Sequence, residues 1–179
     1  MTGTISINRA PVLTLWAAVV AERLGYARDE ALTLGKAVAG MNAQAKAVHL
    51  GLREPAPPGE KLRRRPVGEP QIVELLGRAV PVVRTPKGLR AAKDGKAESA
   101  EAVERYLAGK FGDSLDDARS ALATLAARFT PAELAANAYA LYERFRPEIP
   151  AGTRGWGAKG VLDLTALAKL GRSGAAKRG

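Results

Sequence analysis

Cysteine is absent from all 179 positions, and histidine occurs once, at His49. Without a thiol there can be no disulfide, no thiolate metal site and no cysteine nucleophile. The single imidazole falls at the end of an apolar periodic stretch, where helix-terminal interactions account for it. Serines and carboxylates occur, but no nucleophile, base and orienting group stand in a recognisable arrangement. The chain therefore names no reaction, metal or cofactor. It also lacks an apolar run long enough to span a bilayer. Val12 to Ala21 follows Arg9 as the core of a signal peptide would. It continues in helical phase into Glu22-Arg23-Leu24 without an Ala-x-Ala site, so it reads as core. A cytoplasmic location is the expectation.

What is present is apolar mass and positive charge. Apolar residues make up 46%, enough for a globular body with a real core. Lys and Arg number 28 against 18 Asp and Glu, for a net charge of +10. A surplus of that size suits a polyanionic partner, DNA first among them. Ribosomal or acidic-membrane association would leave the same balance.

The densest periodicity lies in Pro11–Leu50. Proline suits an opening helical turn, and Val12, Trp16, Val19, Val20 and Leu24 recur on one stripe. Gly25 can close that helix with a left-handed backbone. A second begins at Arg28-Asp29-Glu30, with carboxylates at its positive end. It continues through Ala31, Leu34, Val38, Met41, Ala45 and Val48, while Gly35 and Gly40 invite close helix approach. The spacing predicts a packed helical hairpin over residues 1–50.

Ala21-Glu22-Arg23-Leu24-Gly25-Tyr26, followed by Arg28 to Lys36, resembles a helix-turn-helix DNA-binding motif over about twenty residues. The resemblance implies that Arg28, Thr33 and Lys36 face the major groove, although Asp29 and Glu30 stand where phosphates approach. Leu24-Gly25-Tyr26 with Ala31-Leu32 is also similar to the first loop of ubiquitin-associated domains. That likeness implies an apolar protein-docking surface over Tyr26–Leu34 instead.

Residues 51–70 form a Pro-rich basic linker. Glu54-Pro55-Ala56-Pro57-Pro58-Gly59 cannot continue a helix, and Lys61-Leu62-Arg63-Arg64-Arg65-Pro66 follows. The run suits an arm along a phosphate backbone as well as a solvated spacer. It has the outline of an AT-hook but lacks the glycine between its arginines. Over 71–96, Val80–Arg84 and Leu89–Ala92 flank the turn Thr85-Pro86-Lys87-Gly88 and predict a β hairpin, with Pro81 confining its strand to an edge. Bearing Arg84, Lys87, Arg90 and Lys93, that ribbon would resemble the wing of a winged-helix protein.

Residues 97–171 read as a helical region packing on the hairpin. Leu115, Ala118, Leu122, Leu125 and Phe129 make one stripe, and Leu134, Ala138, Leu141, Tyr142 and Phe145 another. Thr130-Pro131-Ala132-Glu133 carries cap, proline and capping-box glutamate in order. Asp113, Asp116 and Asp117 read as first-turn partners of a helix dipole rather than metal ligands. Gly155, Gly157 and Gly160 have dinucleotide-fingerprint spacing without the preceding strand. Arg154 and Lys159 there could hold a phosphate, and Trp156 could stack on a base or pin the loop. Val161 to Leu170 suggests a closing strand-and-helix piece, and 172–179 a disordered basic tail.

The expectation is thus a mainly α helical bundle built on the N-terminal hairpin, with a small β hairpin in the middle. Its expected role is regulatory or architectural nucleic-acid binding. Arg63, Arg64, Arg65, Arg84, Lys87 and Arg90 would meet phosphates, with Arg154 and Lys159 beside them. Arg28, Thr33 and Lys36 would enter the groove. A non-enzymatic protein-interaction module using the hairpin is the rival, and a homodimer is compatible with either.

Overall fold

The computed structural model describes residues 4–49, 71–93, 96–147 and 159–167. Strand β1 (Thr4–Asn8) leads directly into α1 (Arg9–Arg23), where Pro11 occupies the first turn as its missing N–H allows. Every residue from Pro11 to Ala21 is buried, so α1 has no exposed face along that length. The expected single stripe is thereby corrected: a helix that is apolar all round belongs at the centre of the fold. Its Thr14 hydroxyl donates to the Ala10 carbonyl one turn back, which is how this polar group is satisfied inside the core.

The turn at Leu24-Gly25 delivers α2 (Arg28–His49) against α1. Gly35 marks the closest approach. A Cβ there would lie 2.4 Å from the Thr14 carbonyl oxygen and 2.9 Å from the Ala18 nitrogen. On its far side α2 meets an antiparallel sheet in the order β2 (Gln71–Leu75), β3 (Arg78–Thr85), β4 (Gly88–Lys93) and β5 (Lys96–Ala97). The β component thus exceeds the hairpin expected from the sequence, although helices still dominate the described residues. Pro81 sits in β3, an internal strand, contrary to the expected edge position. The β3–β4 ladder starts only at Val82–Ala91, so along Ala79–Pro81 β2 is the paired neighbour and Pro81 falls just outside the β4 ladder.

Helices α3 (Ala100–Phe111), α4 (Leu115–Ala127) and α5 (Pro131–Phe145) enclose the rest of α1. The Ser99 hydroxyl caps α3 by accepting from the Ala102 N–H. Ser114 makes no such cap bond for α4; a 3-10 turn over Gly112–Ser114 leads the chain into the helix. The capping box of α5 is complete: Thr130 and Glu133 each accept the other's main-chain N–H. The apolar stripes of α4 and α5 are buried as their spacing predicts. On α3, Val103 and Leu107 are buried, but Ala102 faces outward. Trp16 joins α1 to α5, its indole N–H donating to the Ala138 carbonyl at 2.9 Å and its ring meeting Phe145 edge-on at 5.3 Å.

Strand β6 (Lys159–Asp163) returns to pair antiparallel with β1, a partner no local pattern announced. Ile5 and Ile7 on β1, with Gly160 and Leu162 on β6, form the inner face of this ribbon. Asp163 then accepts from the N–H groups of Thr165 and Ala166 and opens a helical turn.

Gly35→Ala should lower stability by about 1–3 kcal/mol, the usual range for overpacking, because the added methyl meets main-chain atoms that cannot rotate away. Urea unfolding measures this, and Gly40→Ala, where a Cβ meets nothing within 4 Å, is the control that should not lose stability.

Candidate nucleic-acid interface

The junction between α2 and the sheet contains several of the residues expected to reach DNA. Glu30 lies in the first turn of α2, and its Oε1 accepts the Ala27 N–H at 3.0 Å, as a capping-box glutamate does. The same carboxylate turns its Oε2 toward β4 and accepts the Leu89 N–H at 2.9 Å. One turn further on, the Thr33 hydroxyl donates to the Glu30 carbonyl and accepts the Ala91 N–H at 3.0 Å. Two alternate amides of β4 are thus paired with side chains of α2 rather than with a strand. Gly88 lets the carboxylate come this near, since a Cβ there would lie 3.0 Å from Oε2, and its φ of +121° suits glycine in any case.

Electrostatics reinforces the junction. The Leu89 and Ala27 N–H groups hold the Glu30 carboxyl below its ordinary value of 4.5. Burial opposes this, while Arg84 and Arg90 nearby lower it further. Arg90 donates to the Leu89 carbonyl at 2.9 Å and approaches Asp29 at 3.9 Å.

This geometry corrects the groove-reading expectation. Thr33 is fully buried and both capacities of its hydroxyl are used. Arg90 is 7% exposed and serves the α2–sheet junction, so it is not available to a phosphate. Residues 31–35 are all buried, and five consecutive helical positions cover every side of a turn. Residues 31–35 therefore offer no side chain to a DNA groove. The same burial removes Ala31, Leu32 and Leu34 from the expected docking surface over Tyr26–Leu34, leaving the partly exposed Tyr26 with Ala27, Arg28 and Asp29 as its accessible part.

Other expected residues are differently placed. Arg28 is exposed and pairs with Glu104 of α3 at 3.5 Å. Lys36 is half-buried, its ammonium 5.0 Å from the centre of the Tyr106 ring. Arg84 and Lys87 are exposed around the β3–β4 turn, which Thr85 shapes by accepting the Lys87 N–H and donating to the Gly88 carbonyl. Lys93 and Lys96 are exposed at the other end of β4. Arg63, Arg64, Arg65, Arg154 and Trp156 lie outside the described residues. Lys159 belongs to β6 by its main chain.

No protein family model, no curated protein and no solved structure matches the chain.

Among the described residues, no three His, Cys, Asp or Glu side chains gather as metal ligands, and no helix is long and apolar enough to cross a membrane. The Tyr142 hydroxyl is pushed up to about 12, chiefly by burial, and so stays protonated at neutral pH. The structural role of Glu30 had one partial signal in the sequence. Glu30 and the polar Thr33 stand one turn apart at the edge of an otherwise apolar run, Ala31 to Leu34.

Because its folded-state pKa is depressed, Glu30 stabilises the fold above its unfolded pKa, and that contribution is lost as pH falls through the folded value. Glu30→Gln should therefore lower the urea midpoint at neutral pH, and the gap from the parent protein should close well below pH 4.5. An equal gap at both pH values would show that the charge is immaterial to the junction. Thr33→Val should cost about 1–3 kcal/mol at any pH, since it leaves the Ala91 N–H without its acceptor.

Proposed function

We propose that this protein binds nucleic acid in a sequence-independent, architectural manner, with the turns of the sheet on the phosphate backbone. The observation that carries the reading is the segregation of charge. Among the described residues of 71–97, Arg84, Lys87, Lys93 and Lys96 are exposed, and Glu74 is the one exposed acid. Helices α3 to α5, over 100–147, hold six basic and seven acidic side chains and are close to neutral. The basic run Arg63-Arg64-Arg65 directly precedes the sheet in sequence.

Two details favour backbone contact over base reading. No aromatic residue occurs in 71–97, so the sheet offers no platform on which bases could stack. Lys87 and Lys93 bracket β4, and six residues of extended strand span about 20 Å. Arg84 with Lys87 at one end and Lys93 with Lys96 at the other would then meet well-separated phosphates.

Gel-shift titration of a random-sequence duplex tests the proposal. With four phosphate contacts the logarithm of affinity should fall with the logarithm of salt at a slope near −3.6, or about −0.9 per contact. The Arg84→Ser, Lys87→Ser double variant should flatten that slope by about 2 and weaken binding equally for unrelated sequences. A slope that does not change, or the absence of any shift at low salt, would remove the sheet from consideration. Replacing Arg63, Arg64 and Arg65 with serine assigns the arm its share, and an unchanged affinity would discard it.

A further inference from the structure

A cleft of about 270 Å³ opens between α1, the start of α2 and α4, lined by none of the residues assigned above to the sheet interface. Arg23, Arg28 and Arg119 line it, each from a different helix. Its apolar lining is small, consisting of Val19, Ala123 and Ala126, and Glu22 is the one acid in the lining. The three arginines are 5 and 91 positions apart in sequence, so no local motif could have grouped them.

Their side chains are held in place without being fully neutralised. One oxygen of Glu104, from α3, receives Arg119 at 3.0 Å and Arg28 at 3.5 Å. Arg23 donates to the Phe129 carbonyl at 2.8 Å, a partner with no net charge. Among the described residues no carboxylate lies within ion-pair distance of Arg23. Three guanidiniums therefore face two carboxylates, Glu22 and Glu104. A guanidinium carries five N–H donors in a planar fork, so a single recorded donation leaves most of each fork open. Forks already fixed by protein contacts lose little further freedom on meeting an oxyanion.

Size and polarity narrow the ligand. A volume of 270 Å³ is below the usual range of about 300–1,000 Å³ for drug-sized ligands and corresponds to about nine waters. Guanidiniums supplied by three separate helices can each offer N–H donors to a different oxygen of a tetrahedral anion.

We infer that this cleft is a binding site for a single phosphate group, brought in by a small phosphate compound or by the end of a nucleic-acid strand. Isothermal titration of the full chain with inorganic phosphate should give saturable binding. Arg23→Gln combined with Arg28→Gln should weaken it at least tenfold, while Lys110→Gln, at an exposed position on α3 outside the cleft lining, leaves it unchanged. Glu22→Gln removes the acid in the lining and should tighten binding several-fold, which keeps the test decisive if the arginine variants fold poorly. The absence of saturable binding by the parent protein, or affinities indifferent to Arg23, Arg28 and Glu22, would overturn the site. Matched oligonucleotides with a 5′-phosphate or a 5′-hydroxyl distinguish the two sources. A preference for the phosphorylated strand that disappears with Arg23 and Arg28 assigns a strand end. Equal binding of both, with inorganic phosphate still bound, assigns a small phosphate compound. Because the cleft and the sheet turns share no residue, failure of either reading leaves the other standing.

Discussion

Two main-chain amides of β4, at Leu89 and Ala91, are bonded to side chains of a helix, and much of the described architecture follows from that. A strand edge with open N–H groups must be paired, solvated or covered. Glu30 and Thr33 cover this one, and in doing so they fix the sheet to α2. The ion contributes because it is bonded at both oxygens: Ala27 holds one and Leu89 the other. Helix start and sheet edge are thereby joined through a single carboxylate.

With the sheet on one side and α1 on the other, α2 is an internal layer over its first turns. Gly35 sets how closely the two helices can pack, and Trp16 ties α1 onward to α5. The chain thus spends its most helix-turn-helix-like stretch on its own core. A helix that reads DNA needs one polar face open to solvent; of the three residues expected to supply it here, Thr33 is buried against β4, while Arg28 and Lys36 meet Glu104 and Tyr106 of α3.

Positive charge is arranged by the same layering. The helices around α1 balance their charges nearly one for one, and Glu104 serves two arginines at once. At the sheet turns Arg84, Lys87, Lys93 and Lys96 remain exposed, with Glu30 close to the β3–β4 turn. Those exposed cations would attract a polyanion approaching the turns.

The sequence by itself determined the local elements: the stripes of α4 and α5, the capping box at Thr130 and Glu133, and the β3–β4 turn at Thr85–Gly88. Each depends on neighbours within a few residues, and periodicity, caps and turns are written at that range. It could not show that α1 is buried on every side, because a stripe and a full apolar cylinder differ only in what packs around them. Nor could it pair β1 with β6, or give Glu30 and Thr33 to β4, since those contacts join segments dozens of residues apart. The convergence of Arg23, Arg28 and Arg119 was equally hidden, for it depends on three helices meeting. Tertiary structure decided which polar side chains were consumed in closing the core and which remained for a partner, because burial and hydrogen bonding are settled only when distant surfaces come together.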